Sequence, residues 1–246
     1  MPYCTFVDDR GRHVPSVDAS EMREVDRVAV TDTGPNLFQM MENAGRNLAE
    51  MVRDTFGSDW SERDILVLAG TGGNGGGGVT AGRHLVNHGG RVTVVVTDEA
   101  RMGNVARHQL KIFRAAGGVV KAEPPPNPGL ILDAIIGYSL AGPPSGRALD
   151  LILYAGAQRS PVLSLDIPSG LNATTEETPG AVIEANATMT LALPKIGLCS
   201  WLAGDLVLAD IGIPALTYRK VGRPEAAAVF DGRYRVPLER NLNPDD

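Results

Sequence analysis

Only two cysteines, Cys4 and Cys199, occur in the 246 residues, and they stand far apart. So few exclude a disulfide framework, and no C-x-x-C pair offers a metal or redox site. A reducing, cytoplasmic setting is the expectation. Positive charge is also short. Lys and Arg total 23 against 29 Asp and Glu, a net charge of −6, which argues against nucleic acid or an anionic membrane as the main partner. No stretch reaches the roughly 18 consecutive apolar residues of a membrane span. The polar N-terminal MPYCTFVDDRGRHVP has no apolar signal segment. The motifs G-K-[ST], G-x-S-x-G and H-E-x-x-H are all missing, which removes P-loop, nucleophile-elbow and zincin chemistry. His84 and His88 have a helical spacing but no third metal ligand beside them.

What is present is an alternation. Two amphipathic stretches come first. One is capped by Asp18 or Ser20 and carries Met22, Val25, Val28 and Ala29. The other runs over 35–56, with Pro35 near its start and Gly57 past its end. Strands are then predicted at 64–70, 91–98, 129–137 and 161–168, with helices at 78–89, 104–118 and 146–158 between them. Two later strands read at 187–194 and 204–212. Short, continuously apolar strands alternating with helices predict an α/β fold with a parallel, doubly wound sheet. The proline-rich 122–129 is a stiff connector, since the alternation resumes after it. Residues 1–17 read as an extended lead-in, the C-terminal NLNPDD as a frayed tail, and the whole as one domain.

Between the first strand and its helix, seven of the nine residues from Gly70 to Gly78 are glycine, the exceptions being Thr71 and Asn74. In that position glycines permit tight turns, and backbone N–H groups can face an anion. Gly70, Gly72 and Gly75 satisfy G-x-G-x-x-G, and Asp98 stands where a ribose-binding acid would. An NAD(P)-dependent oxidoreductase is therefore one reading. Against it, no tyrosine is followed by lysine four residues later.

Ligands of open α/β sheets collect beyond the carboxyl ends of the strands. Those ends supply Asn74, Asp133, Asp166 and Ser169. Asn74, Asp133 and Ser169 combine a carbonyl, a carboxylate and a hydroxyl. These hard oxygen donors, with one carboxylate among them, suit a monovalent cation better than a divalent one. Lys195, one of only four lysines, follows a strand and Pro194. It either reaches the same edge or stays an exposed charge.

Five segments in order carry a resemblance: FQMMENAG (38–45), GTGGNGGGGVTAGRHL (70–85), DAIIGYSLAG (133–142), LDIPSGLNATT (165–175) and TLALPKIGL (190–198). Together with LADIGIP (208–214) they resemble the YjeF N-terminal family of NAD(P)H-hydrate epimerases over about residues 18–215. The resemblance implies a Rossmann-like three-layer αβα sandwich with a mostly parallel central sheet. It implies an isomerase that interconverts the R and S forms of hydrated NADH or NADPH, binds potassium and forms a homodimer. The metal ligands would be Asn74, Asp133 and Ser169. Substrate contacts would fall on Gly73, Asn74, Gly75, Gly76 and Gly77, on Gly137, Tyr138, Ser139, Leu140, Ala141, Gly142 and Pro143, and on Asp166. Asp166 is the candidate general acid and base, with Lys195 second. The glycine segment departs from the family's G-P-G-N-N-G-G-D-G: Thr71 stands for Pro, Gly73 for Asn and Gly77 for Asp. Two side-chain contacts to substrate would thereby be lost, which keeps open a non-catalytic nucleotide-binding or dimerisation module of the same fold.

Overall fold

Alternation of side chains along each strand explains how the sheet acquires two covered faces. The computed structural model describes residues 4–242. Strand β1 (Cys4–Asp8) and the short β2 (His13–Val14) lead into helix α1 (Ala19–Val28) and helix α2 (Leu37–Phe56). Asp18 and Glu21 form a reciprocal cap on α1, as Asn36 and Gln39 do on α2. The alternating part follows: β3 (Asp64–Ala69), α3 (Gly73–Asn87), β4 (Arg91–Val96), α4 (Asn104–Ala115), β5 (Val119–Lys121), β6 (Leu130–Ala134), α5 (Gly146–Gly156), β7 (Val162–Leu165), β8 (Ala187–Leu191) and β9 (Asp205–Ala209). Helix α6 (Ala215–Lys220) and strand β10 (Arg235–Leu242) complete the described chain.

Among the described residues the strands form one ten-stranded sheet in the order β2-β1-β10-β9-β8-β7-β6-β3-β4-β5. Strands β3 to β9 are mutually parallel; β10, β1 and β2 add antiparallel pairings beyond β9. On β3, Ile65, Val67 and Ala69 face the core built with Leu48 of α2, Leu85 of α3 and Leu110 of α4. Leu66 and Leu68 face the opposite core, with Leu151 and Ile152 of α5. Cover on both faces is why the strand lacks polar alternation. The expected αβα layering is the architecture observed.

The chain reverses its direction of winding between β3 and β6. From β3 it proceeds outward through β4 and β5, then crosses back to β6 and winds the other way. The carboxyl ends of β3 and β6 are therefore a topological switch point, where a crevice opens.

Two expectations need correction here. Cys4 and Cys199 are bonded to each other, with Cα atoms 6.0 Å apart. Separation along the sequence hid this, because β10 pairs with β1 and carries Cys4 to the turn after Lys195. The disulfide removes the support that scarce cysteines gave to a reducing compartment. The C-terminal tail also differs: Asn241 and Leu242 pair with Thr5 and Cys4, while residues 243–246 lie outside the described residues. No helix among the described residues is long and apolar enough to cross a membrane.

Candidate active site

A cavity of about 500 Å³ occupies the switch point. One wall is main chain and the other is charged.

The main-chain wall is the start of α3. The helix begins at Gly73, five residues before the start expected from the sequence, so Gly75 to Gly78 are helical. Their missing side chains answer to packing. A Cβ on Gly75 would enter the Gly70 carbonyl, one on Gly76 the Met41 thioether, one on Gly77 would lie 2.8 Å from Leu165 and one on Gly78 2.5 Å from Ala134. The glycines thus let α3 settle onto α2 and the sheet. The Cβ positions of Gly75, Gly76 and Gly77 point into packed neighbours, and these three residues are not part of the cavity lining. Thr71, Gly72, Gly73 and Asn74 do line it. Gly72 and Gly73 face open space. No side chain caps this helix, and the N–H groups of its first turn have no carbonyl one turn back to bind. They are free for an anion, with the helix dipole behind them.

The charged wall is built around the backbone of Ile136, Gly137 and Tyr138, which leaves β6. Ile136 N–H donates to Ser169 Oγ at 2.8 Å, and Tyr138 N–H to Asp166 Oδ2 at 2.8 Å. Gly137 is wedged between them: a Cβ there would lie 2.7 Å from Asp166 Oδ2 and 3.3 Å from Asn74 Cγ. That backbone therefore gathers Asn74, Asp166 and Ser169 from three segments.

Asp166 is 4% exposed and Lys195 is fully buried. Their charged atoms are 2.5 Å apart. Lys195 also donates to the Leu191 carbonyl at 2.9 Å and lies 5.8 Å from the centre of the Tyr138 ring. Of the two readings of Lys195, the exposed charge is wrong and the reach to the strand-end edge is the one observed. Pro194 and Ile196 hydrogen-bond on either side of Val17, which turns the lysine inward. Asp166 sits in left-handed backbone with φ of 71°, as does Ala192 at 62°. Such residues cost of order 1–3 kcal/mol each and persist where the surroundings fix them.

Asp133 is fully buried and makes four hydrogen bonds: from Ile135 N–H and Ser169 Oγ to one oxygen, from Ser164 Oγ and Ser169 N–H to the other. Burial pushes its pKa up, and the two serines oppose that. Asn74 differs: both its side-chain oxygen and nitrogen are buried without a partner. Asp133 and Ser169 stand behind the wall, and only Asn74 of that trio lines the cavity.

Ser139 also lines the cavity, whereas Leu140, Ala141, Gly142 and Pro143 lie beyond it. Pro143 instead packs on Gly180. Asp98 accepts from Ala100 and Arg101 N–H in its own turn. The sequence reading missed Asp26, Met22, Met40 and Met41, which close the cavity from α1 and α2. Asp26 had a signal: it lies four residues from buried Met22, a carboxylate beside the apolar stripe of its helix. A second cavity, about 490 Å³, opens at the amino ends of β3 and β4, around Asp64 and Arg91, and along the edge strand β5, and gathers none of these residues.

Comparison with known proteins gives a consistent picture. A family model for the YjeF-related protein N-terminus matches residues 37–197. An NAD(P)H-hydrate epimerase of Dehalogenimonas lykanthroporepellens is 45% identical over 236 residues, covering 95% of this chain and 96% of its own. An NAD(P)H-hydrate epimerase of Truepera radiovictrix is 36% identical, over 84% of this chain and 94% of its own. A bifunctional NAD(P)H-hydrate repair enzyme of Salinibacter ruber is 31% identical, with the match spanning 41% of its length. The crystal structure of the yeast protein ynu0 superimposes with a TM-score of 0.72 at 22% identity, over 85% of this chain and 94% of that one.

Proposed function

The chain belongs to the YjeF-related N-terminal family, and on that premise we propose that it is an isomerase interconverting the R and S forms of hydrated NADH or NADPH. The observation that carries this reading is the buried Asp166–Lys195 pair in one wall of a cavity whose other wall is an uncapped helix start. A dinucleotide needs both. Its pyrophosphate suits the free N–H groups at Gly73 and Asn74. Its hydrated ring carbon needs a group that moves a proton, and Asp166 supplies one. Lys195 holds that carboxylate in place.

The donor set also suits a potassium ion. Asn74 Oδ1 is a buried oxygen with nothing to bind. Asp133 is a buried carboxylate with no basic group among its hydrogen-bond partners. Asn74 would supply a ligand, while Asp133 and Ser169 would supply charge and polarity from behind. The ion would neutralise buried negative charge and order the 136–138 backbone. A homodimer and cytoplasmic residence stay part of this reading, to be checked by light scattering and cell fractionation.

The deciding experiment feeds purified R and S hydrates of NADPH to the protein, coupled to a dehydratase that consumes only the S form. Full consumption of both supports the reading; persistence of the R form at its uncatalysed rate ends it. A melting temperature raised by potassium chloride over choline chloride in the wild type, and not in Asn74→Ala, tests the ion.

A further inference from the structure

One half-buried carboxylate in the cavity wall has no part in the chemistry above. Asp26, on α1, accepts the Tyr138 phenol at 2.6 Å through Oδ2. The backbone N–H of the same tyrosine binds Asp166. The two carboxylates therefore hold opposite ends of one residue, and both face the cavity. Their settings differ. Asp166 has the Lys195 ammonium at 2.5 Å. Asp26 has no ion-pair partner among the described residues, only the phenol.

Resting on the epimerase reading, we propose that Asp26 is a second catalytic acid–base group, placed across Tyr138 from Asp166 so that hydroxyl leaves toward one carboxyl and water returns from the side of the other. Inversion at a hydroxyl-bearing ring carbon needs proton transfer on two faces, which one carboxyl cannot reach without reorienting the substrate. In the forward step the C–O bond to the hydroxyl breaks and Asp26 gives up its proton, so that water departs. The lone pair of the adjacent ring nitrogen forms the C=N bond of an iminium ion. Water then adds to the opposite face, a new C–O bond forms, the C=N electrons return to nitrogen, and Asp166 takes the surplus proton. Exchange with solvent resets both carboxyls. Nothing is oxidised or reduced. Two carboxyls with unlike environments are the usual basis for separate acid and base roles, and a wider carboxyl spacing is what admits water on the far side in inverting glycoside hydrolysis. Burial, which raises the pKa of Asp26, favours the protonated form this role begins from.

The test compares Asp26→Asn, Asp26→Glu and Tyr138→Phe with wild type in the NADPH-hydrate assay, with NADP+ titration calorimetry and melting curves alongside. Asn can still accept the phenol but cannot carry a proton between states. The expectation for Asp26→Asn is a kcat lower by about 10²–10⁴-fold with KM and NADP+ binding unchanged. Asp26→Glu is expected to regain part of the rate, and Tyr138→Phe to retain more activity than Asp26→Asn. A wild-type kcat in Asp26→Asn overturns the proposal. So does a loss in Tyr138→Phe as deep as that in Asp26→Asn, which would make the pair a latch. If Asp26→Asn does not fold, Asp26→Ser takes its place: a kcat far below that of Asp26→Glu counts for proton transfer, and equal rates in Asp26→Ser and Asp26→Glu count against it. Wild-type protein without epimerase activity ends the functional reading itself, a result distinct from each of these.

Discussion

The two walls of the cavity are made by opposite means. At the start of α3 the protein removes side chains: four successive helical glycines bring the helix onto α2 and the sheet, and bare N–H groups face the opening. Where α1 meets the ends of β6, β7 and β8 it crowds side chains together: a buried carboxylate and ammonium, a phenol and a second carboxylate within one residue's reach. The first wall can recognise charge without shape, because main-chain donors look alike whatever follows them. The second is suited to proton transfer, because it sets carboxyl groups against the cavity. A wall of the first kind tolerates change at its open positions, and one of the second kind does not.

Substitutions that treat the two walls alike would break this contrast. The largest effect is expected from Asp166→Asn, which strands the Lys195 charge in the interior. Losing one partner of a buried pair costs about 3–5 kcal/mol, and hydrate inversion should fall by about 10²-fold or more. Adding Lys195→Met should recover part of the stability and none of the activity; urea unfolding and the coupled assay read both. On the glycine wall, Gly75→Ala drives a methyl group into the Gly70 carbonyl and is expected to cost about 1–3 kcal/mol. Gly73→Ala, one turn-corner away in open space, should change stability by less than about 0.5 kcal/mol. Equal costs for the two would show that the glycine run is not a packing device. The smallest effect belongs to the far end of α3, where His84 meets Glu42 of α2 at 2.8 Å. Burial, helped by Arg83, lowers the His84 pKa below its ordinary 6.5. Its contribution to stability is complete above that value and is lost as pH falls through the folded-state pKa, because the unfolded chain takes up the proton first. Melting temperatures over about pH 8 to 5 should fall less steeply in His84→Gln.

Much of this was legible in the residues. Continuous apolar strands and their intervening helices specify the doubly wound centre, and the polar residues at strand ends locate Asn74, Asp166 and Lys195. The edge of the sheet was not legible, since β1, β2 and β10 depend on pairing between chain ends, which no local pattern encodes. The glycine run misled because glycine has the same letter whether it serves a turn, a ligand or a helix contact. Only the positions of Met41, Leu165 and Ala134 reveal which. The hydrogen bonds that hold Asp133 behind the wall were not legible either, since Ser164 meets it through strand register and Ser169 through the turn after β7. Asp26 escaped because a single acidic residue on an amphipathic helix ordinarily faces water.

The Cys4–Cys199 bridge links positions 195 apart, and so makes most of the polypeptide into a ring. A protease that nicks a surface loop within it, such as the proline-rich 122–129 segment, opens the ring without freeing either piece. Such a nicked molecule should run as one species on a non-reducing gel and as two once thiol is added.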